Sequence, residues 1–341
     1  MPKVVFAFDS FKGCLSAHEA CLAAAKGVAE PWRYECVPLS DGGEGTAAIL
    51  TAALGGETKC IEAHDALMRP IHTEIGIVDT TAIVDVASVC GLFMIEPAFR
   101  NPLKLTTYGV GEVMQKAIAM GCRHLIVGLG GSATCDLGRG MLQCMGTVPN
   151  NVKVTALCDV NAPLCGPTGA VRMFAPQKGA TPEMEELLEQ DFQRYADHIL
   201  TTRHIDLQSL PGAGAAGGLG AAMHVAYGAQ LTSGAEYVIG ACQLTQRAKD
   251  ATLVVTGEGH SDQQTLQGKL PMQVAQCLKR MGIKTKVALI SGGVSNEKML
   301  QRHFDIVRAV TPSTMQLAQA MKKDVASQLL RTGIQNLLAD L

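Results

Sequence analysis

The chain has 341 residues, of which 47% are hydrophobic and 18% charged, and its formal net charge is −2 at pH 7. A chain of this length usually forms more than one domain, because single hydrophobic cores stop growing at roughly 250–300 residues. The balanced charge excludes the basic excess of nucleic-acid-binding proteins, and no apolar run reaches the ~18 residues of a membrane span. We therefore expect a two-domain protein with neither nucleic acid nor membrane as a partner.

The twelve cysteines are scattered and form no C-x-x-C pair. Neither a disulfide framework nor a zinc site is expected from this spacing. The first residues run directly into the apolar segment 4–8, which is too short for the core of a signal peptide. These features favour free thiols in a reducing compartment and predict a cytoplasmic protein.

The first fifty residues have the pattern strand, loop and helix twice over. Residues 4–8 are apolar and β-prone, and residues 35–39 read as a second short strand. Each segment is followed by a charged, glycine-containing loop and then a helical pattern. Ser16 and Glu19 form a capping box that opens the first helix. Such alternation is typical of the start of a doubly wound parallel sheet.

The pattern changes after residue 57. Residues 59–63, 71–78 and 82–86 read as strands with no helix between them, which indicates a mixed or antiparallel sheet. The alternation of strand and helix returns at about residue 234 and continues to the end of the chain, with helices predicted over 235–249 and 314–339 among others. We therefore predict one doubly wound α/β domain, residues 1–56 and 232–341, with a second, mixed-sheet α/β domain, residues 57–231, inserted into it.

The phosphate-binding motifs are weak when taken singly. The chain contains no P-loop, since its only G-K pair, Gly268-Lys269, lacks the required context. Residues 128–133 match the dinucleotide pattern G-x-G-x-x-A, and Asp159 ends the next predicted strand. An NAD-dependent oxidoreductase acting on a small hydroxy acid therefore stays open as an alternative.

Charged or glycine-rich loops follow at least six of the predicted strands, at residues 9–13, 40–46, 128–136, 158–161, 257–262 and 291–293. Lysine and backbone N–H groups suit phosphate, whereas carboxylates suit Mg²⁺ or proton abstraction from a hydroxyl group. The candidate phosphate ligands are Lys12, Lys178 and Lys269. The candidate carboxylates are Asp41, Glu44, Asp159, Glu258 and Asp262. Because a guanidinium group recognises a carboxylate, Arg69 and Arg100 are candidates for holding an acid substrate. Together these groups indicate phosphoryl transfer to a small acceptor.

At these loops the chain resembles the bacterial glycerate kinase family, the type that includes enzymes of glyoxylate and galactarate breakdown. The matching segments are D-S-F-K-G (9–13), S-D-G-G-E-G-T (40–46), R-N-P-L (100–103), T-Y-G-V-G-E (107–112), G-L-G-G-S-A-T (128–134) with Asp136, C-D-V-N-A-P-L (158–164), P-Q-K-G-A-T (176–181), G-A-G-A-A-G-G-L-G (212–220), and T-G-E-G (256–259) with Asp262 and G-K (268–269). They cover nearly the whole chain, in order.

The resemblance implies a flavodoxin-like domain carrying an inserted α/β domain, and a kinase that uses ATP and Mg²⁺ to convert D-glycerate to 2-phosphoglycerate, as a monomer or homodimer. The implied nucleotide-binding residues are Gly130, Gly131, Ser132, Ala133, Thr134, Asp136 and Lys178. The implied substrate-binding residues are Asp9, Ser10, Lys12, Arg69 and Arg100. The implied catalytic residues are Asp41, Asp262 and Lys269, and the implied metal ligands are Glu44, Asp159 and Glu258.

Three positions depart from the family pattern. Leu137 stands where a glycine is favoured, His260 stands where an arginine is favoured, and the segment 147–151 is shorter than in the family. They leave open a second alternative, a non-catalytic homologue that binds a sugar acid.

Overall fold

The computed structural model describes residues 1–159 and 162–341. The chain divides into two compact units, unit 1 (residues 1–41 and 235–341) and unit 2 (residues 42–234). The sequence places the first boundary at residue 56/57, whereas the structure gives residues 42–56 to unit 2. The reason is the helix Thr46–Ala53, which packs on the strand Pro70–Val78 so closely that a side chain on Gly76 would collide with Thr51.

The strands, in chain order, are β1 (Lys3–Phe8), β2 (Arg33–Cys36), β3 (Glu57–His64), β4 (Pro70–Val78), β5 (Thr81–Asp85), β6 (His124–Gly128), β7 (Lys153–Leu157), β8 (Gln230–Thr232), β9 (Leu253–Gly257), β10 (His260–Ser261), β11 (Lys286–Ser291), β12 (Gly293–Val294) and β13 (Ile306–Ala309).

The α-helices are α1 (Ala17–Ala25), α2 (Thr46–Ala53), α3 (Ala87–Cys90), α4 (Tyr108–Ala119), α5 (Arg139–Met145), α6 (Ala170–Phe174), α7 (Pro182–Arg203), α8 (Ala215–Tyr227), α9 (Gly234–Ala241), α10 (Leu244–Ala248), α11 (Leu270–Arg280), α12 (Glu297–Leu300), α13 (Leu317–Ala320) and α14 (Lys323–Ala339). Short 3₁₀ turns lie at Leu92–Met94, Pro97–Phe99, Pro176–Lys178 and Thr265–Gln267.

Unit 1 is built on a parallel sheet with the strand order β13-β11-β9-β1-β2. Its central strands are fully buried, and their apolar side chains pack with those of α1 and α14. Buried parallel strands read as continuous apolar runs, which is how β1 and β9 appear in the sequence. The predicted doubly wound parallel sheet is confirmed.

Unit 2 is built on a mixed sheet with the strand order β3-β4-β5-β6-β7-β8. The pairs β3/β4 and β4/β5 are antiparallel, and the remaining pairs are parallel. The predicted mixed sheet is therefore also confirmed. The parallel strands β5, β6 and β7 end beside one another, so that the loops following them share one edge of the sheet.

Two predicted helices are wrong in their extent. The helix predicted over 235–249 is divided into α9 and α10 at Gln243, whose φ of +53° interrupts the right-handed helix. The helix predicted over 314–339 is divided into α13 and α14, because Lys322 has an extended backbone. Within the described residues, no helix combines the length and apolar character needed to cross a membrane. The twelve cysteines are free thiols.

Candidate active-site residues

The carboxyl end of β1 carries a buried carboxyl group. Asp9 is 5% exposed, and its Oδ1 accepts a hydrogen bond from the Ser10 backbone N–H at 2.7 Å. Burial and then the negative charge of Asp41 raise the pKa of the Asp9 carboxyl well above its usual range, against a smaller opposing effect of Lys12. Asp9 is therefore suited to holding a proton at a pH where an exposed aspartate is ionised.

Glu258, directly after β9, is held by hydroxyl groups. Its Oε1 accepts hydrogen bonds from Thr265 Oγ1 at 2.7 Å and from Ser261 Oγ at 3.2 Å. Its Oε2 lies 3.4 Å from Lys269 Nζ, at the start of α11. Ser291 Oγ, at the end of β11, completes the support at 2.7 Å from Ser261 Oγ. One carboxylate oxygen is thus fixed by the protein and the other faces an ammonium group.

Asp262 lies on the same loop, and its hydrogen bonds stay within that loop. Its Oδ1 accepts the Gln264 backbone N–H at 2.8 Å, and its own N–H donates to Thr265 Oγ1 at 3.0 Å. Thr265 therefore connects the backbone of Asp262 to the carboxylate of Glu258. The Asp262 side chain itself is half-buried.

His260 is engaged by the neighbouring strand. Its Nε2 lies 3.0 Å from Ser295 Oγ, and its ring covers Gly293, where an added Cβ would lie 2.6 Å from Nδ1. The imidazole is exposed and belongs to the small β10/β12 pairing. The side chain at this position therefore has partners within the same small pairing.

The predicted residues of unit 1 thus gather at the carboxyl ends of its parallel strands. The charges of Asp41, Lys12 and Glu258 all influence the pKa of Asp9, and Lys269 reaches Glu258. Open α/β sheets place ligands at this edge. Positively and negatively charged side chains thus surround the buried Asp9 carboxyl group. Such an arrangement is suited to binding a polar, anionic ligand.

The glycine loop of unit 2, residues 130–134, is packed backbone against backbone. The Gly130 N–H donates to the carbonyl oxygen of Gly42 at 3.1 Å, and the Ala133 N–H donates to that of Cys90 at 2.8 Å. A Cβ on Gly130 would lie 2.6 Å from the Cα of Gly43. Both N–H groups donate to carbonyl oxygens of the chain itself. The glycines of this loop therefore allow close packing of the backbone, in addition to any role in binding a ligand.

Lys178 inserts its ammonium group into this loop. The side chain is 4% exposed, and Nζ donates to Ser132 Oγ at 3.0 Å and to the Thr134 carbonyl oxygen at 2.8 Å. Two of the three N–H donors of this lysine therefore hold the glycine loop. A lysine is rarely so buried, and here its charge lies against the predicted nucleotide site.

Asp136 shapes the end of the same loop. Its Oδ2 accepts the Thr107 N–H and hydroxyl groups, both at 2.8 Å, and the Gly140 N–H at 3.1 Å. Its Oδ1 accepts the Gly138 N–H at 3.1 Å. With four internal donors, the carboxylate acts on loop conformation, and this geometry does not favour the direct nucleotide contact that the sequence predicts for Asp136.

Leu137 follows with a left-handed backbone, φ +55°, and a buried side chain. Its N–H donates to the carbonyl oxygen of Gly217 at 3.1 Å. The start of α8 is itself left-handed at Ala216, Gly217 and Gly218. The glycine-rich segment 212–220 is therefore a tightly packed helix start that supports residues 134–138.

The two candidate arginines have partners within unit 2. Arg69 Nε donates to Oδ2 of the buried Asp65 at 2.6 Å. Arg100 Nε donates to the Ile95 carbonyl oxygen at 3.1 Å. A guanidinium paired with a buried carboxylate has less to offer a second one, so the geometry favours Arg100 over Arg69 as a ligand for an acid substrate.

The candidate metal ligands do not form a preformed cage. Glu44 is exposed before α2, and Asp159 Oδ1 accepts the Ser233 hydroxyl at 2.7 Å. Among residues 1–159 and 162–341, no three His, Cys, Asp or Glu side chains form a group that could hold a metal ion. Two residues of the predicted loop 158–161, Val160 and Asn161, lie outside the described residues.

Sequence reasoning missed Asp85, the last residue of β5. It is 5% exposed, and its two oxygens accept the Gly45 and Ala47 N–H groups, each at 2.9 Å. Burial raises the pKa of the Asp85 carboxyl to about 7, although these hydrogen bonds act in the opposite direction. The available signal was a carboxylate inside the apolar run 82–86. A charged side chain on a buried strand cannot reach solvent, so it needs partners within the protein.

Comparison with known proteins agrees with these motifs. The sequence profile of the glycerate kinase family matches residues 4–150 and 147–341. The chain belongs to the glycerate kinase family. It is 35% identical to the glycerate 2-kinase of Escherichia coli K12, over 94% of this chain and 93% of that protein. It is 34% identical to a glycerate kinase of Bacillus subtilis 168, over 94% and 93% of the two chains.

A crystal structure from Salmonella typhimurium LT2 that carries the name glycerate kinase 2 has the same fold. It superposes with a TM-score of 0.80 at 36% sequence identity, covering 99% of this chain and 98% of the other. The predicted family and fold class are thereby confirmed. The dinucleotide interpretation of residues 128–133 gains no support from these relatives.

Proposed function

We propose that this member of the family is a glycerate kinase that transfers the γ-phosphoryl group of ATP to D-glycerate and forms 2-phosphoglycerate. The observation that carries the proposal is the cluster of Asp9, Asp41, Glu258 and Lys269 at the carboxyl ends of the strands of unit 1. Phosphoryl transfer requires a group to receive the hydroxyl proton and charges to balance the moving phosphoryl group. The cluster contains both. The name of the Escherichia coli relative favours the 2-position.

Within the cluster, Asp41 would take the proton from the acceptor hydroxyl. Asp9, whose raised pKa favours the protonated carboxyl group, would donate a hydrogen bond to the bound glycerate. Asp262 would orient the acceptor, and the ammonium group of Lys269 would face the transferred phosphoryl group. Ser10, Lys12 and Arg100 are the remaining candidates for holding glycerate, with Arg69 the weaker one.

The carboxylates fit a magnesium ion that arrives with the nucleotide. Mg²⁺ is usually bound through one or two carboxylates together with substrate phosphates, and the described residues offer single carboxylates rather than a closed ligand set. The candidate ligand in unit 1 is Glu258, and the candidates in unit 2, taken by itself, are Glu44 and Asp159. When bound, the ion would neutralise charge on the phosphates.

The glycine loop 130–134 and Lys178 would contact the nucleotide phosphates. The support for this role is the buried ammonium group held against Ser132 and Thr134. We also propose that the protein acts in the cytoplasm, as a monomer or a homodimer. The twelve free thiols favour that compartment.

The test is an ADP-release assay with ATP, Mg²⁺ and D-glycerate, followed by a ³¹P spectrum of the product. We expect glycerate-dependent ADP formation and a phosphorus signal coupled to the single proton at C2. A signal coupled to two protons would move the product to the 3-position. Glycerate binding without ADP formation would favour the non-catalytic alternative, and turnover only with a nicotinamide would favour the oxidoreductase.

A further inference from the structure

Asp85 connects a strand to the loop that carries Glu44. The helix α2 begins after Gly45, whose left-handed backbone supplies no side-chain cap. The cap comes instead from Asp85, which receives the N–H groups of Gly45 and Ala47 on separate oxygens at 2.9 Å. Both oxygens of one buried carboxylate thus hold the N–H groups of two residues of another segment.

The fixed segment is also in contact with the glycine loop. The Gly42 carbonyl oxygen accepts the Gly130 N–H at 3.1 Å. A Cβ on Gly128 would lie 2.7 Å from that same oxygen and 3.3 Å from Asp85 Oδ1. The three chain segments therefore touch around Asp85 without room for an additional methyl group. A displacement of the Asp85 carboxylate would be transmitted to both loops.

We propose that Asp85 is a positioning residue of the phosphoryl transfer, which sets the place of Glu44 through the N–H groups of Gly45 and Ala47. The inference depends on the proposed function, because Glu44 matters only if its carboxylate takes part in the reaction. The competing interpretation is an ordinary helix cap, which would stabilise α2 and leave turnover per folded molecule unchanged.

A double-mutant cycle separates these interpretations. Asp85→Asn retains the shape of the side chain but replaces one acceptor oxygen by an N–H donor facing a backbone N–H. We expect kcat to fall by about 10²-fold, the effect typical of a displacement near 1 Å at a reacting site. In the Glu44→Gln background the same substitution should lower kcat by less than about threefold, because the group it positions is already lost.

The matched control is Thr51→Val, in the same helix. Thr51 is 4% exposed, and its hydroxyl donates to the Ala47 carbonyl oxygen at 2.6 Å and not to the Asp85 carboxylate that holds the Ala47 N–H. Valine has nearly the same shape, so this variant loses a buried hydrogen bond of α2 while leaving the N-terminal loop in place. We expect its kcat within about twofold of the unmodified protein.

Amide hydrogen exchange of residues 42–47, measured by mass spectrometry, gives a readout that does not depend on turnover. Exchange should be faster in Asp85→Asn and unchanged in Thr51→Val. If Asp85→Asn does not fold, Asp85→Ser, whose hydroxyl accepts one amide, replaces it in the cycle. Fully additive effects of the Asp85 and Glu44 substitutions, or unchanged exchange at 42–47, would overturn the inference. Absence of turnover in the unmodified protein would instead overturn the proposed function, and is visible before any variant is made.

Discussion

Glu258 of unit 1 and the two aspartates Asp85 and Asp136 of unit 2 are held in different ways. In unit 1, Glu258 is held by the hydroxyl groups of Ser261 and Thr265, and its second oxygen faces Lys269. In unit 2, Asp85 and Asp136 are held mainly by backbone N–H groups of the loops around them. At Glu258, hydroxyl groups therefore fix the position of a charge, whereas at Asp85 and Asp136 a carboxylate fixes the position of the backbone.

This difference predicts different consequences of substitution. Replacing a carboxylate of unit 1 by the corresponding amide should lower activity more than stability. The amide oxygen can still accept the hydrogen bonds of the hydroxyl groups. Changing the loops of unit 2 should alter folding first, because the glycines there lie against other backbone atoms. Each of the following measurements tests one side of the comparison.

The largest effect is expected for Glu258→Gln. The amide oxygen can still accept from Ser261 and Thr265, while the negative charge opposite Lys269 is removed. We expect kcat to fall by about 10²–10³-fold, as when one preorganised electrostatic partner is lost, with little change in the thermal unfolding midpoint. Glu297→Gln, at an exposed glutamate of the same unit, is the control. A kcat for Glu258→Gln within threefold of the control would remove Glu258 from the mechanism.

Next in size is the contrast between two left-handed glycines of unit 2. Gly217 and Gly228 have nearly the same φ, +64° and +63°, but a side chain on Gly217 would collide with the Thr134 carbonyl oxygen, whereas one on Gly228 would meet no atom within 4 Å. Gly228→Ala should lower the free energy of unfolding by about 1–2 kcal/mol. Gly217→Ala should lower it by a further ~1–3 kcal/mol through overpacking. Equal losses of unfolding free energy in denaturant titrations would show that residues 134–138 move to make room for the added methyl group.

A pH-dependent effect is expected at Asp85. Its pKa is about 7 in the folded protein, above the ordinary value of 3.8, so the folded state binds the proton more tightly than the unfolded state. The associated stabilisation is complete below about pH 4 and is lost as the pH rises through 7. The unfolding midpoint of the unmodified protein should therefore exceed that of Asp85→Asn by more at pH 5 than at pH 8. A difference independent of pH would contradict the raised pKa.

The smallest effect concerns Leu137. Replacing it by alanine removes a buried side chain but keeps the strained φ of +55°, whereas glycine removes both the side chain and the strain. Alanine usually exceeds glycine in stability, but here Leu137→Gly should be more stable than Leu137→Ala by about 1 kcal/mol. Denaturant midpoints of the two variants, with equal m-values, decide this. The usual order would show that position 137 relaxes out of the left-handed region once leucine is gone.

Much of the fold was predictable because β1, β9 and β11 of unit 1 are short apolar runs followed by glycine or charge. The pattern change near residue 57 also revealed the mixed sheet correctly. The assignment of α2 to unit 2 was not predictable in the same way. An apolar helix pattern does not indicate which of two sheets the helix packs on. The break at Gln243 was likewise hidden, because a left-handed glutamine has no distinctive sequence signal.

The candidate site was predictable to the level of loops but not of contacts. Asp9, Glu258 and Lys269 follow strands, and their chemistry can be inferred from residue type. The sequence does not show that Arg69 pairs with Asp65 or that Asp136 accepts backbone N–H groups. These contacts depend on loop conformation or on residues distant in the chain. Asp85 was missed for the same reason, since its partners at Gly45 and Ala47 lie 40 and 38 residues earlier.

The divided course of unit 1 has a consequence for the order of events during synthesis. Unit 2 is one continuous segment, residues 42–234, whereas β1 must pair with β9 across more than 240 intervening residues. Long-range pairing of this kind is slow, and domains fold as units while the chain is made. We expect β1 and β2 to leave the ribosome long before β9, which pairs with the other edge of β1, and the sheet of unit 1 to be completed only after unit 2 has folded. Limited proteolysis of ribosome-bound chains ending near residue 280 should find residues 42–234 protected while the first 41 are still cleaved.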